Sequence, residues 1–222
     1  MRTSTFASGF ILTLLGAPCV AAQSDHSHKE HSDHAVQGGG TLPAGWSARP
    51  DDTGDLKNVK FVTMGPGYHV TLGPATILYR KSDRANGPFH TLATFQQTKK
   101  LEHSEGYGLF MGGEALDGKG QKYTYFLVRG DGKFIIKRRN GPTDPATIVP
   151  WTENAAIVKA DANGIAKNEL SILLSGGKVS FMANGKEVYA TAPGAVDTKG
   201  IAGLRINHNL DVHVDGFAVH RM

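Results

Sequence analysis

Three ionisable side chains alternate near the C-terminus, Asp211, His213 and Asp215, with Leu210, Val212 and Val214 between them. In an extended chain this period puts the polar set on one face and the apolar set on the other. Neighbours two apart stand about 6.7 Å from each other, within reach of a shared cation or proton, whereas Asp211 and Asp215, about 13 Å apart, cannot hold one ion together. Three readings stand: plain strand polarity, a structural cation held by Asp211 or Asp215, and direct acid–base chemistry with His213 or Asp211 as the base. Ca²⁺ or another divalent cation is the one cofactor these residues suggest.

Immediately upstream lie Arg205, Asn207, His208 and Asn209, in the string RINHN. Planar polar groups of this kind hydrogen-bond hydroxyls well, and they serve an ordinary turn equally well. Arg129 and Arg138 flank the centre of the chain and are expected to face the same groove if their sheet is concave. Trp46 and Trp151 offer flat apolar faces, which stack on the C–H face of a sugar ring or pack into a core. Trp151 follows Pro150 in TIVPWTEN, a loop-like setting. Near the N-terminus, His26, His28, His31 and His34 are interleaved with Asp25, Glu30 and Asp33. Imidazole and carboxylate suit Zn, Cu or Ni; the same residues fit a solvated spacer or a pH-responsive patch.

Other chemistries are disfavoured. A two-carboxylate glycosidase needs its acids about 5 to 9.5 Å apart across a cleft. Glu102 and Glu105 (LEHSE) sit in a Lys- and Ser-rich connection and read as solvated loop charge. No Ser-His-Asp order, phosphate loop or paired-cysteine motif appears. Lys and Arg number 24 against 20 Asp and Glu, a net charge of +4 with no dominant basic block, so nucleic acid is not an expected partner.

The elements that must position these groups are short and extended. Arg2 followed by the apolar stretch Phe6–Ala17 reads as an export signal, with cleavage expected after Ala22. Twelve apolar residues are fewer than the roughly 20 a membrane-spanning helix needs. Cleavage would remove the single cysteine, Cys19, and with it any thiol chemistry. Residues 23–44, polar, His-rich and ending in Gly38-Gly39-Gly40, read as a disordered linker. Residues 45–222 then form one domain, in which apolar runs are separated by Asn-Gly and Asp-Gly dipeptides, the residues of tight hairpin turns. Strands are expected at 59–63, 69–72, 76–80, 89–96, 107–111, 169–174, 201–207 and 210–219. Hairpins are expected over 122–139 and 178–189, the latter turning at Asn184-Gly185. Phe217 and Val219 fall out of phase with Val212 and Val214, and a bulge at Asp215-Gly216 would restore them. With almost no helical period, the expected fold is all-β, a two-sheet antiparallel sandwich.

The phrases GYHVTLGPATILYR (67–80), YGLFMGG (107–113), YTYFLVRGDGKFIIKRR (123–139), VSFMANGKEV (179–188) and GIAGLRINHNLDVHVDGFAV (200–219) carry a resemblance. The domain resembles concanavalin A-like jelly rolls of the laminin-G-like type, and more narrowly the exported bacterial 3-keto-disaccharide hydrolases. The resemblance implies a jelly roll outside the cytoplasm, periplasmic or secreted, with carbohydrate as partner. It also implies a choice between glycan binding on the concave sheet and cleavage of a C3-oxidised disaccharide by proton abstraction and elimination. Metal buffering by the His-rich segment is the third function the sequence allows.

Overall fold

The computed structural model describes residues 33–51 and 55–222. In chain order the strands are β1 (Trp46–Pro50), β2 (Val59–Met64), β3 (Gly67–Leu72), β4 (Thr76–Ala85), β5 (Phe89–Gln97), β6 (Gly106–Glu114) and β7 (Lys122–Arg129). They continue as β8 (Lys133–Asn140), β9 (Ala146–Glu153), β10 (Ala166–Ser175), β11 (Lys178–Ala183), β12 (Lys186–Thr191), β13 (Gly200–Ile206) and β14 (Asp211–Arg221). Among the described residues the only helical pieces are single 3-10 turns at Leu56–Asn58 and Pro193–Ala195. No helix among them is long and apolar enough to cross a membrane.

Two seven-stranded sheets result, in the orders β1-β4-β13-β6-β7-β8-β9 and β12-β11-β10-β5-β14-β3-β2. All pairings between these strands are antiparallel. The C-terminal strands β13 and β14 are inserted between earlier ones, one in each sheet, which makes the sandwich a jelly roll. Asn184 and Gly185 take φ of 50° and 76° and close the β11–β12 hairpin, as their dipeptide predicts. In β14 the register against β5 slips between Asp215 and Ala218, and Gly216 takes a φ of 64°. The slip returns Phe217 to the inner side, where it packs against the core.

Two strands escape the sequence pattern. β1 and β9 each contain a proline, and each is an edge strand of the first sheet, where a missing N–H is tolerated. Trp151 therefore sits in a strand, not in a loop. Glu105 also departs from expectation: it is buried, at 9% exposure, immediately before β6.

Between the sheets, inner residues of both meet in one core that includes Val70, Phe95, Leu109, Phe126, Leu170, Phe181, Leu204 and Val214. Phe126 of the first sheet meets Phe181 of the second edge-on at 5.5 Å, and Phe95 of the second meets Tyr107 of the first at 5.6 Å. Aromatic pairs of this geometry add about 0.5–1.5 kcal/mol beyond their area.

The segment from Asp33 to Ala44, expected to be a free linker, is irregular in backbone yet fastened to the domain. Gly38 and Gly39 donate to the carbonyls of Lys57 and Val59, and Phe61 donates back to Gly39. A Cβ on Gly38 would lie 2.3 Å from Lys57 O, and one on Gly40 would lie 1.6 Å from Phe61 O. Gly38 and Gly40 are there for close approach to the Leu56–Asn58 turn and to β2, which composition alone cannot distinguish from flexibility.

Candidate functional site

Because successive residues of a strand point to opposite faces, the first sheet has a second layer on the side turned away from its partner. Along β7, Phe126 and Val128 enter the inter-sheet core, while Tyr123, Tyr125 and Leu127 build an outer cluster with Ile77, Tyr79, Phe110 and Ile135. This outer face is apolar and aromatic over much of its area, and it also carries Lys137, the Arg129–Asp131 pair and a charged network around Arg205.

Arg205 of β13 lies at the centre of that network and is buried, at 4% exposure. Its guanidinium grips Asp51 in a two-pronged pair, Nη1 to Oδ1 at 3.0 Å and Nη2 to Oδ2 at 2.7 Å. Nη1 also donates to the Tyr123 hydroxyl at 2.8 Å, and the plane stands 4.9 Å from the Tyr125 ring. Arg139 of β8 donates to the same carboxylate at 2.9 Å. Burial alone would raise the Asp51 pKa, but Arg205 and then Arg139 outweigh it and bring it down to about 2. Burial pushes the Tyr123 and Tyr125 hydroxyls upward, so both stay protonated. The network leaves polar atoms uncommitted: Nε of Arg205, Nε of Arg139, Oε1 of Gln121 and Oδ1 of Asn207 are buried without a partner. Gln121 and Arg139 share the pleat parity of Tyr123, to which Arg139 is directly paired.

Towards one end of the same face, Arg129 stacks 4.2 Å above the Trp151 ring and donates from Nε to Asp131 at 2.8 Å. Gly106 leaves the room for this indole, since a Cβ there would come within 3.0 Å of it. Trp151, Arg129, Asp51 and Arg139 keep part of their surface exposed.

Of the residues singled out from sequence, Arg129, Trp151 and Arg205 share this face, and Asn207 follows Arg205 at the end of its strand. Arg138 does not join them. It falls on the opposite pleat parity from Arg139, and its guanidinium is spent on Asp197 at 3.0 Å and on the carbonyl of Ala195 at 2.8 Å. The expectation that Arg129 and Arg138 face one groove is thus corrected by the alternation of β8. His208 belongs to the connection before β14, where Nδ1 meets Asp33 at 2.5 Å.

Asp211, His213 and Asp215 lie on the outer face of the other sheet, with the whole core between them and Arg205. Asp211 accepts from His69 Nε2 at 2.5 Å, from Thr71 at 3.1 Å and from the Thr98 hydroxyl, with Lys99 at 3.8 Å. Partial burial raises its pKa, but the Thr98 hydrogen bond and His69 outweigh that and leave it lowered. The imidazole bound to Asp211 is therefore His69, not His213. His213 is paired across the ladder with His69, its ring 6.2 Å away, and its Nδ1 is buried without a partner. Asp215 stands at the bulge. Among the described residues no group of three or more His, Cys, Asp or Glu is arranged to hold a metal ion. His34 is exposed, its backbone N–H bound to Asn209 Oδ1 at 2.7 Å. His26, His28 and His31, and the export signal over 1–22, lie outside the described residues.

Sequence reading missed Asp51, Arg139, Tyr123, Tyr125 and His69. Asp51 and His69 meet their partners only by long-range pairing, whereas Arg139 faces Tyr123 across the 122–139 hairpin and the outward parity of the two tyrosines is written in YTYFLVR.

No protein-family model matches the chain, and no curated protein matches it. Its fold is similar to that of carbohydrate-binding module CBM66 from Bacillus subtilis, with a TM-score of 0.58 and 12% identity over 80% of this chain and 96% of the module. It is also similar to the carbohydrate recognition domain of Emp46p, with a TM-score of 0.53 and 10% identity over 79% of this chain and 88% of that one. A third similar structure is the β-glucanase of Bacillus licheniformis, with a TM-score of 0.51 and 7% identity over 87% of this chain and 100% of the enzyme. The architecture shared with these three is the concanavalin A-like jelly roll, and that is the fold of this chain.

Proposed function

We propose that the protein binds glycans, and that the binding surface is the outer face of the first sheet. One observation carries the reading: stacked rings and planar charged groups with uncommitted polar atoms occur together there. Trp151 supplies the part-exposed ring, backed by the buried Tyr123 and Tyr125, and Arg205 and Arg139 each hold an unpartnered Nε. A sugar offers a C–H face to the first and hydroxyl groups to the second, so one ligand chemistry satisfies both. The fold neighbours whose names describe carbohydrate binding support this choice. On the export-signal reading of residues 1–22, the setting is periplasmic or extracellular.

The test is a panel of neutral oligosaccharides of glucose, galactose, fructose, xylose and mannose, followed by calorimetry and by proton NMR over time. Saturable binding that weakens about tenfold or more in Trp151→Ala, with the fold intact, is the expected result. Absence of binding across the panel would overturn the reading. New sugar resonances growing with time, from ordinary or 3-keto-disaccharides, would replace binding with turnover. Zinc retention that disappears with residues 23–44 would move the function to the histidine tract.

A further inference from the structure

The loops at the Trp151 end of the sandwich enclose a small cavity that none of the groups above uses. It measures about 160 Å³ and is lined by Gln97, Lys100, Ser104, Gly130, Asp131 and Asp161, among others. Three connections meet there, β5–β6, β7–β8 and β9–β10, and hydrogen bonds tie them together. Ala160 N donates to Gly130 O at 2.8 Å, and Gln97 Nε2 donates to Gly164 O at 2.8 Å and to Lys99 O at 3.0 Å.

Gln97 forms the floor. It is buried, at 3% exposure, and with both carbonyls held by its amide nitrogen the side chain cannot swing. Its Oε1 accepts nothing. A buried carbonyl without a donor is costly, commonly by about a tenfold change in an equilibrium, and native interiors rarely tolerate one. In front of it stands Gly130, and a Cβ there would lie 3.1 Å from Oε1. The oxygen is thus met by glycine backbone and not by a side chain, although Gly130 does not occupy the left-handed region that would demand glycine.

The rim sorts the ligands. Asp131 is already engaged by Arg129 at 2.8 Å and Lys133 at 3.9 Å, and the Lys100 side chain is exposed at the same rim. Cations already bound to Asp131, with Lys100 beside it, oppose a metal ion. Asp161 Oδ1 is occupied by the backbone N–H groups of Asn163 and Ile165, each at 2.9 Å. What fits is a neutral ligand carrying hydroxyl donors for Gln97 and acceptors for Lys100 and Ser104. Asp131 connects the cavity directly to the Arg129–Trp151 stack.

We infer that this cavity receives one sugar ring at the end of a glycan whose next units lie across Trp151, with a ring hydroxyl donating to Gln97 Oε1. The inference rests on the glycan-binding reading. It adds that recognition is of a chain end, since the space holds one ring and is closed behind by Gln97.

The experiment is an amide and side-chain NMR titration of the protein with glucose, galactose, fructose, mannose and xylose, then with their oligosaccharides. Expected are saturable shifts of the Gln97 side-chain NH₂ and of the Ser104, Gly130, Asp131 and Gly164 amides with at least one monosaccharide. Gly130→Ala, which puts a Cβ 3.1 Å from Oε1, should weaken that binding about tenfold or more. Shifts confined to Trp151, Arg129 and the outer sheet face, with the cavity amides unmoved, would overturn the chain-end site and leave the face reading standing. No shift anywhere with any sugar would overturn both. The wild-type titration decides between these outcomes even if the alanine variant does not fold.

Discussion

The two outer faces of this sandwich are built by the same rule and come out opposite in character. On the first sheet, outward residues are mostly aromatic or aliphatic, and the charges among them are neutralised in place: Arg205 and Arg139 close on Asp51. On the second sheet the outward residues include His69, Asp211 and His213, partly exposed and hydrogen-bonded through Thr71 and Thr98. The first arrangement holds a charge pattern rigid over the whole physiological pH range. The second is half-solvated and costs little to rearrange. Stacking and hydrogen-bond recognition belong to the first kind of surface, because fixed donors lose little freedom when a ligand arrives.

The largest expected effect is on stability. Asp51→Ala leaves Arg205 buried without its counter-charge and should cost about 3–5 kcal/mol in urea denaturation. Asp211→Ala, whose partner His69 is 20% exposed where Arg205 is 5%, should cost about 1–2 kcal/mol. Equal costs would erase the distinction between the two faces. Replacing Asp51 by Leu and Arg205 by Met together should recover part of the stability lost in Asp51→Ala, because the most deeply buried charge is gone and only Arg139, with a side chain 14% exposed, is left without the carboxylate. That double variant should still fail to bind any glycan the wild type binds. Retained binding would show the network to be structural only.

Acid dissects the same comparison more gently. The Asp51 pKa of about 2 lies below the ordinary aspartate value near 3.9. Between roughly pH 4 and pH 2 the unfolded chain takes up this proton before the folded one does, so stability, complete above that window, falls as pH falls through it. Denaturation at a series of pH values should show the slope, and Asp51→Asn should flatten it. Asp211, whose pKa is also lowered, adds a slope of the same sign. The smallest effect belongs to His90, whose pKa is lowered by burial and then by His220, 6.3 Å away. His220→Ala should move the His90 NMR titration midpoint upward, and an unmoved midpoint would leave burial as the whole cause.

What was legible in the sequence was local. Alternation along YTYFLVR and KVSFMA, the Asn184-Gly185 turn and the Asp215-Gly216 bulge all involve residues within a few positions of one another. The site was legible in its members but not in its assembly. Arg205 stands out as a polar residue in an apolar strand, yet Asp51 is 154 positions away, and His69 is 142 positions from Asp211. Pairing across that distance is set by strand order, which the inserted strands β13 and β14 decide. Proline misled in β9, because it marks an edge as readily as a loop. Glycine misled at 38–40, because the same residue serves a flexible linker and a tight contact. Gln97 gave no signal, since what distinguishes it is an oxygen that nothing else in the chain reaches.

The one-residue slip in β14 has a consequence for how that strand tolerates change. Upstream of Gly216 even-numbered residues point inward, as Val212 and Val214 do; downstream odd-numbered ones do, as Phe217 does. The strand is two half-sentences joined by a comma. A substitution at Gly216 stays local, because its φ of 64° is also open to asparagine at modest cost. Deleting it would remove the extra residue, and plain alternation from Asp215 would still turn Phe217 inward, against Trp46, which it meets at 5.3 Å, and His220 outward. Both the length and the identity of the chain are therefore freer at this position than at the buried positions on either side.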